Sequence, residues 1–348
     1  MTCASFGSSS EVSLYYAVDP DPAADMPGTT AWKPVPYTSE SLDAVLSATV
    51  SDQITDTRSY ATSKLTQGEI SGSFSYEAFS GSFLENMLIS ALQADADLHI
   101  TEGTRDWADT DTIQNGSVKK CFAFLKKVRL SNGNFDMFLF RGCQISSLSM
   151  TMDAGALITG DISIMGPGLG EPVSGIDVYK NIADGAAPID SGGWTFEAYP
   201  SSDLMSGVDS LRDFVIKDGT GTDTGITAQS VSMTIDNQLR SQFAVGKNTI
   251  YASGVASGRI MVTFSVSAYY ASPAVFESFT SDDNMSVTFK LLDSSDIGFE
   301  VEAAKVKVTS GSTPLAGGPD TDLLVSTEMQ AFEHSTKGTI QVTLDLTT

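Results

Sequence analysis

The sequence predicts an all-β protein made of tandem duplicated β-domains, with one short helix in each half. Hydrophobic residues make up 41% of the 348-residue chain and charged residues only 18%, a balance that suits packed strands whose solvated faces and turns are filled by Gly, Ser and Thr. Apolar and polar residues alternate with a period of two: Leu148, Met150 and Met152 against Ser147, Ser149 and Thr151, then Ile260–Val262–Phe264–Val266 and Ile340–Val342–Leu344. The segment Gly68–Glu69–Ile70–Ser71–Gly72–Ser73–Phe74–Ser75 also recurs as Gly258–Arg259–Ile260–Met261–Val262–Thr263–Phe264–Ser265, so that Gly, Ile, Phe and Ser coincide at one constant offset.

Flanking segments keep the same order. Asp52–Gln53–Ile54 has a counterpart in Asn237–Gln238–Leu239, and Thr159–Gly160–Asp161–Ile162–Ser163–Ile164 has one in Lys337–Gly338–Thr339–Ile340–Gln341–Val342. A chain of this length holds about two domains of ~150 residues. The division expected is an N-terminal arm over residues 1–11, a first β-domain over 12–166, a linker over 167–189 rich in Gly, Ala and Asp, and a second β-domain over 190–348.

Helix signals are confined to residues 80–92, where Phe83, Met87, Leu88 and Ala91 sit at helical spacing behind a serine cap. The matching helix of the second half is expected at Ser272–Phe279, with Pro273 in its first turn. Two long polar segments, Ser51–Gln67 and Asp236–Ser257, precede the matched glycine strands. Loops of that length at the same place in both halves are read as interaction arms.

Charge and composition remove several function classes. Lys and Arg total 20 against 43 Asp and Glu, a net charge of −23, which disfavours tight nucleic-acid binding through neutralised phosphates. Residues 1–10 lack the basic and apolar regions of a secretion signal, and no apolar run in the sequence approaches the ~18 residues of a membrane span. Cys3, Cys121 and Cys143 form no CxxC pair and read as reduced thiols rather than a disulfide framework or a zinc site.

No catalytic constellation stands out. His99 and His334 belong to neither an HExxH motif nor a Ser-His-Asp order, and Gln242 and Asn248 replace the glycine and hydroxyl that a phosphate loop needs around Gly246–Lys247. Asp95, Asp97, Asp106, Asp109 and Asp111 lack EF-hand spacing and read as a solvated acidic loop. The expectation is therefore a structural protein with no enzyme activity, no cofactor and no metal.

The run Ser71–Glu77 with the helix after it, then Phe138–Met150 with its Gly142–Cys143–Gln144–Ile145–Ser146–Ser147–Leu148–Ser149, then Ile158–Gly166 ending in Met165–Gly166, resembles the major tail tube protein of bacteriophages with long non-contractile tails. The second half departs from the pattern: no Met–Gly ending follows Leu344, and Ser310–Asp322 inserts a Gly- and Pro-rich loop.

The resemblance implies two packed antiparallel sheets per domain, a β-sandwich or partly closed barrel whose inner strands continue into those of neighbours. It implies stacked rings that form a virion tail tube for DNA ejection, made in the host cytoplasm. Two domain copies per chain then imply a homotrimer with pseudo-hexameric symmetry. The partners implied are other copies of the chain, the tape measure protein, tail-end proteins and double-stranded DNA in transient, non-specific passage, with no membrane. Pairing of exposed sheet edges by ring closure fits this picture.

By position, the inter-ring or inter-subunit role falls to Asp52, Asp56, Arg58 and Lys64 in the first arm and to Asp236, Arg240 and Lys247 in the second. Glu69, Glu77 and Asp161 lie out of phase with the apolar strand positions. They are candidates for an acidic lumen that repels phosphate, or else they serve exterior solubility. Two other classes remain open. One is a tandem β-sandwich binding or capsid-decorating module; the other is a glycosidase-type hydrolase, for which Asp106–Trp107–Ala108–Asp109 is the nearest approach to a carboxylate pair.

Overall fold

The computed structural model describes residues 11–22, 26, 30–53, 56, 59–60, 62–79, 81–96, 98, 112–129, 135–167, 179–182, 194–199, 204–246, 250–270, 277, 280–294, 297–311 and 322–347. Its first elements are β1 (Val12–Val18), β2 (Ala31–Pro34), β3 (Ser39–Glu40), β4 (Asp43–Val50), β5 (Ser63–Glu77), α1 (Ser82–Ala91), β6 (Thr112–Gln114), β7 (Phe122–Arg129), β8 (Phe135–Asp153), β9 (Thr159–Gly166) and β10 (Tyr179–Ile182).

β8 belongs to two sheets. Up to Cys143 it pairs with β7 on one edge and β10 on the other, and from Gln144 onward it pairs with β9. β1 extends the first sheet beyond β7, while β5, β4 and β3 extend the second beyond β9. Alternation along these strands sends Phe74, Phe122, Phe124, Leu148 and Ile162 into one core between the sheets. At the changeover, the buried Asp19 carboxylate accepts Arg141 Nη2 at 2.6 Å, Arg141 Nε at 3.1 Å and the Gly142 amide at 3.1 Å. That fork fixes where the strand leaves one sheet for the other.

The helix forms where its spacing predicts, and Phe83, Met87, Leu88 and Ala91 are all buried. Its start differs from expectation: Gly81 is the N-cap and no side chain bonds to the first turn. Every residue from Ser82 to Ala91 is buried, so tertiary packing rather than capping holds the helix. At its other end the buried Asn237 donates from Nδ2 to the Ala91 carbonyl at 2.8 Å and to that of Ile145 at 3.0 Å.

The chain continues through β11 (Thr195–Phe196), β12 (Leu211–Lys217), β13 (Thr227–Asp236), β14 (Arg240–Gln242), β15 (Gly254–Ala256), β16 (Met261–Tyr269), β17 (Met285–Leu292), β18 (Ile297–Gly311), β19 (Leu324–Ala331) and β20 (Gln341–Thr347). Pairing repeats the earlier order. β12, β17, β18 and β20 are joined as β1, β7, β8 and β10 are, and β13, β16, β19 and β18 are joined as β3–β4, β5, β9 and β8 are. Phe74 and Phe264, equivalent positions in the repeated segment, are both fully buried.

Among the described residues, two strand pairings join the sets. β8 pairs with β13 from Ser147↔Asp236 to Asp153↔Ser230, and β6 pairs with β20. No barrel closes within the described residues.

Several expectations are corrected. Thr159–Ile164 is β9, which lies between β5 and β8, whereas the segment matched to it leads into β20, which lies between β18 and β6. The strand placed like β9 is β19. Their glycines differ accordingly: a Cβ at Gly160 would lie 2.1 Å from the Ser149 carbonyl and 2.5 Å from the Tyr76 hydroxyl, while Gly338 occupies a turn at φ +64. Period-two alternation selects a buried face and does not select a partner strand.

The stretch read as linker contains β10, and Thr195–Phe196 pairs in parallel with β2 instead of starting the second set. Within the polar run Ser51–Gln67, residues Ser63–Gln67 are not loop but belong to β5 and continue its hairpin with β4. Within Ser272–Phe279 only Glu277 is described, and it is helical, as is Thr280 just beyond. The Ser281 amide donates to the Glu277 carbonyl at 2.9 Å.

Candidate assembly edges and channel face

One continuous sheet runs β4, β5, β9, β8, β13, β16, β19, β18 across both halves. One face is core. The other shows Ser71, Ser73 and Ser75, then Ser147 and Ser149, then Ser232 and Thr234, then Thr263 and Ser265, aligned in cross-strand rows. Glu69, Glu77 and Asp161 lie on this polar face, where Ser75 Oγ donates to Asp161 at 2.5 Å.

Asp153, Asp236 and Glu328 fall on the same face, and of these only Asp236 was singled out by sequence, as an arm residue. From Glu69 through β9, β8, β13, β16 and β19 this face carries no Lys or Arg. Beneath it, burial and then the Asp161 carboxylate push the Tyr76 hydroxyl well above its ordinary 10.0.

The sheet ends at two edges that match its own internal joint. β8 Ser147–Met150 lies against β13 Met233–Asp236, and the corresponding segments by strand pairing are Lys307–Gly311 of β18 and Glu40–Asp43 at the β3–β4 edge. Neither edge has a further strand partner among the described residues. Superimposing the internal register on these edges sets Lys307 opposite Asp43. Lys307 now pairs with the exposed Asp282 at 2.7 Å.

One arm adjoins the open β3–β4 edge, and its counterpart adjoins β13 at the internal joint. The first is the β4–β5 hairpin with loop 51–62, and the second is β14–β15 with its tip. The second arm docks on the first half: the Gly68 amide donates to the Ile250 carbonyl at 2.9 Å and its carbonyl accepts the Ala252 amide at 3.2 Å, so Tyr251 bridges β5 in parallel. The first arm projects. Leu65 is 46% exposed, whereas Val255, its counterpart in the repeat, is 7% exposed. Val45, Leu46, Val50 and Tyr60 are exposed beside it.

Residues 9–331 match the model of the family described as phage tail tube protein, so the match spans both strand sets. The chain belongs to that family. It is a structural β-protein of the phage tail tube and a component of the virion tail. No curated protein matches the chain.

In this tail tube chain the residues expected in the arms separate into groups. Asp52 and Asp56 are exposed in loop 51–62, whereas Lys64 lies on β5 opposite Thr49 and Arg240 lies on β14 opposite Ala256. Asp236 ends β13 on the polar face, opposite Ser147 and Met261. Arg58 and Lys247 lie outside the described residues, as do His99, Cys3 and the acidic loop from Asp97 to Asp111 except Leu98.

Cys121 and Cys143 are free thiols, and burial raises the pKa of both. No helix among the described residues is long and apolar enough to cross a membrane. Asp43, Lys307, Tyr60 and Tyr251 were not singled out from sequence, because their importance depends on which edges remain open. The only local signal was the polar arm itself.

Proposed function

We propose that this tail tube protein self-assembles into trimeric rings with pseudo-hexameric symmetry, stacked into a conduit through which DNA is ejected. The observation that carries the reading is the β8–β13 joint. It is an edge-to-edge strand pairing between two similarly ordered strand sets, and the same two kinds of edge recur, open, at the ends of the sheet. Pairing β18 of one copy with the β3–β4 edge of the next repeats that joint and covers both ends of this sheet. The chain is correspondingly read as two copies of one domain, about residues 12–182 and 204–347.

The polar face then lines the channel. Glu69, Glu77, Asp153, Asp161, Asp236 and Glu328 provide a lining that is negative from β5 to β19, with Lys307 at the β18 edge set opposite Asp43 of the next copy; the excess of carboxylates repels phosphate over a Debye length of ~8–10 Å and lets DNA slide without being held. Hydroxyl rows keep that lining hydrated. The exposed arm tips, with Asp52 and Asp56 on one and Phe243 and Val245 on the other, serve ring stacking, and the ends of the tube meet the tape measure and tail-end proteins. No step in this role requires catalytic turnover.

Sedimentation of the purified chain across a wide concentration range, with negative-stain imaging of the same samples, tests the reading. The expected result is growth from monomer to three-chain rings and tubes. A protein that stays monomeric at the highest concentration would count instead for a tandem β-sandwich binding or decorating module.

A further inference from the structure

A buried polar cluster lies at the start of α1, away from the sheet edges and the channel face. Lys33, Glu85 and Asn86 are only 5%, 3% and 1% exposed, a depth at which lysine and glutamate are seldom found. Strand pairing and helix spacing bring them together. Lys33 of β2 stands directly opposite Tyr16 of β1, so the two side chains leave the same face of the sheet. From there Lys33 Nζ donates to Ser82 Oγ at 3.4 Å, and the Tyr16 hydroxyl accepts Asn86 Nδ2 at 3.3 Å. Ser82, Glu85 and Asn86 follow at i, i+3 and i+4, on one stripe of the helix. The lysine amine and the asparagine carboxamide are thus held on the same turn of α1, with Glu85 beside both. Phe83 and Phe122 pack on Tyr16, their ring centroids 5.5 and 6.0 Å away, and make the surroundings apolar.

We infer that Lys33 Nζ and Asn86 Cγ become joined in an intramolecular amide bond, formed once per chain, with Glu85 carrying the protons. A buried ammonium and carboxylate are costly to keep charged. Transfer of the proton from Lys33 to Glu85 leaves both neutral and makes the amine a nucleophile. Nζ attacks Asn86 Cγ while the Glu85 acid protonates Oδ1. Glu85 then takes a proton from Nζ and delivers it to Nδ2. The Cγ–Nδ2 bond breaks, ammonia leaves, and the Oδ1 proton returns to Glu85 as the new carbonyl forms. No oxidant or further reactant enters. The bond forms in the folded monomer and depends on no neighbouring copy. It closes residues 33–86 into a covalent ring containing β3, β4, the first arm and β5, so that the open edge and the arm are tied to the helix.

Intact-mass spectrometry of the purified full-length chain tests this directly. The expected mass is lower by one ammonia than the sequence requires, after allowance for N-terminal processing. Trypsin does not cleave between Lys33 and Pro34, so digestion should release a branched fragment joining residues 1–58 to residues 65–105. Lys33→Met should restore the sequence mass and the two separate fragments. Asn86→Asp should form the same bond with loss of water and give the wild-type product mass. Glu85→Gln, which keeps the shape of the side chain, should leave the chain unbridged.

An intact wild-type mass equal to that of the sequence would overturn the bond whatever the variants do. Loss of ammonia mapped elsewhere, as to a succinimide at Asn115–Gly116, would overturn it as well. A bridge formed equally fast in Glu85→Gln would overturn the role given to Glu85.

Discussion

Tyr251 lies over Gly68: a Cβ added to the glycine would come within 2.7 Å of the tyrosine ring and within 2.9 Å of Leu46. The contact ties an arm of the second strand set to a strand of the first, and only the absence of a side chain at position 68 allows it. Gly68→Val should therefore expel the arm. The expected loss is about 1–3 kcal/mol, the usual cost of overpacking, read as a lower urea midpoint together with faster proteolysis between Arg240 and Ala256. An unchanged midpoint would mean that the arm contributes nothing to the folded chain.

A second prediction concerns the β8 changeover. Asp19 is fully buried, and Arg141 and the Gly142 amide serve its two oxygens. Arg141→Met leaves the carboxylate buried without its counter-charge, at a cost of about 3–5 kcal/mol. Asp19→Asn with Arg141→Met should recover part of the loss. Equal midpoints for the single variant and the wild type would show that the fork does not hold the strand.

Alkaline pH should destabilise the fold, and the sign follows from burial. Desolvation raises the Cys143 thiol well above 9.0, raises Cys121, and lifts Tyr37 from 10.0 to about 12, with the neighbouring Tyr199 and Glu40 adding to the last. Groups raised in the folded state contribute stability that is fully present below their unfolded values and lost as pH rises toward the folded ones. The urea midpoint should fall across the window from 9.0 to about 12, and Cys143→Ala should flatten its first part. A midpoint constant through that window would contradict the assignment.

Shortening the first arm should separate folding from assembly. Val50 and Ser63 are paired at the base of loop 51–62, so replacing the loop by a two-residue turn leaves β4, β5 and the core intact. The trimmed chain should melt as the wild type does and fail to grow tubes. Tubes of normal length from the trimmed protein would assign stacking to the sheet edges or to the second arm alone.

Much of the fold was legible because alternation reports burial. Leu148, Met150 and Met152 face the core and Ser147, Ser149 and Thr151 face away, as their order predicts, and the same rule placed Glu69, Glu77 and Asp161 on one face. Pairing was not legible, since Thr159–Ile164 and Lys337–Val342 alternate alike but join different neighbours. β10, only four residues long between Gly- and Ala-rich stretches, gave no periodic signal. The arm contact at Gly68 was invisible for a similar reason: Tyr251 reaches it from the other half of the sequence, and nothing local to either residue names the other.

Electron cryo-microscopy of assembled tubes tests the central claim most directly, by resolving the strand that pairs with β18 in the ring. The account predicts three chains per ring, with Lys307 of one chain opposite Asp43 of the next in the register that sets Ser147 opposite Asp236 within the chain. Rings in which Lys307–Gly311 pairs with some other strand, or with none, would contradict it.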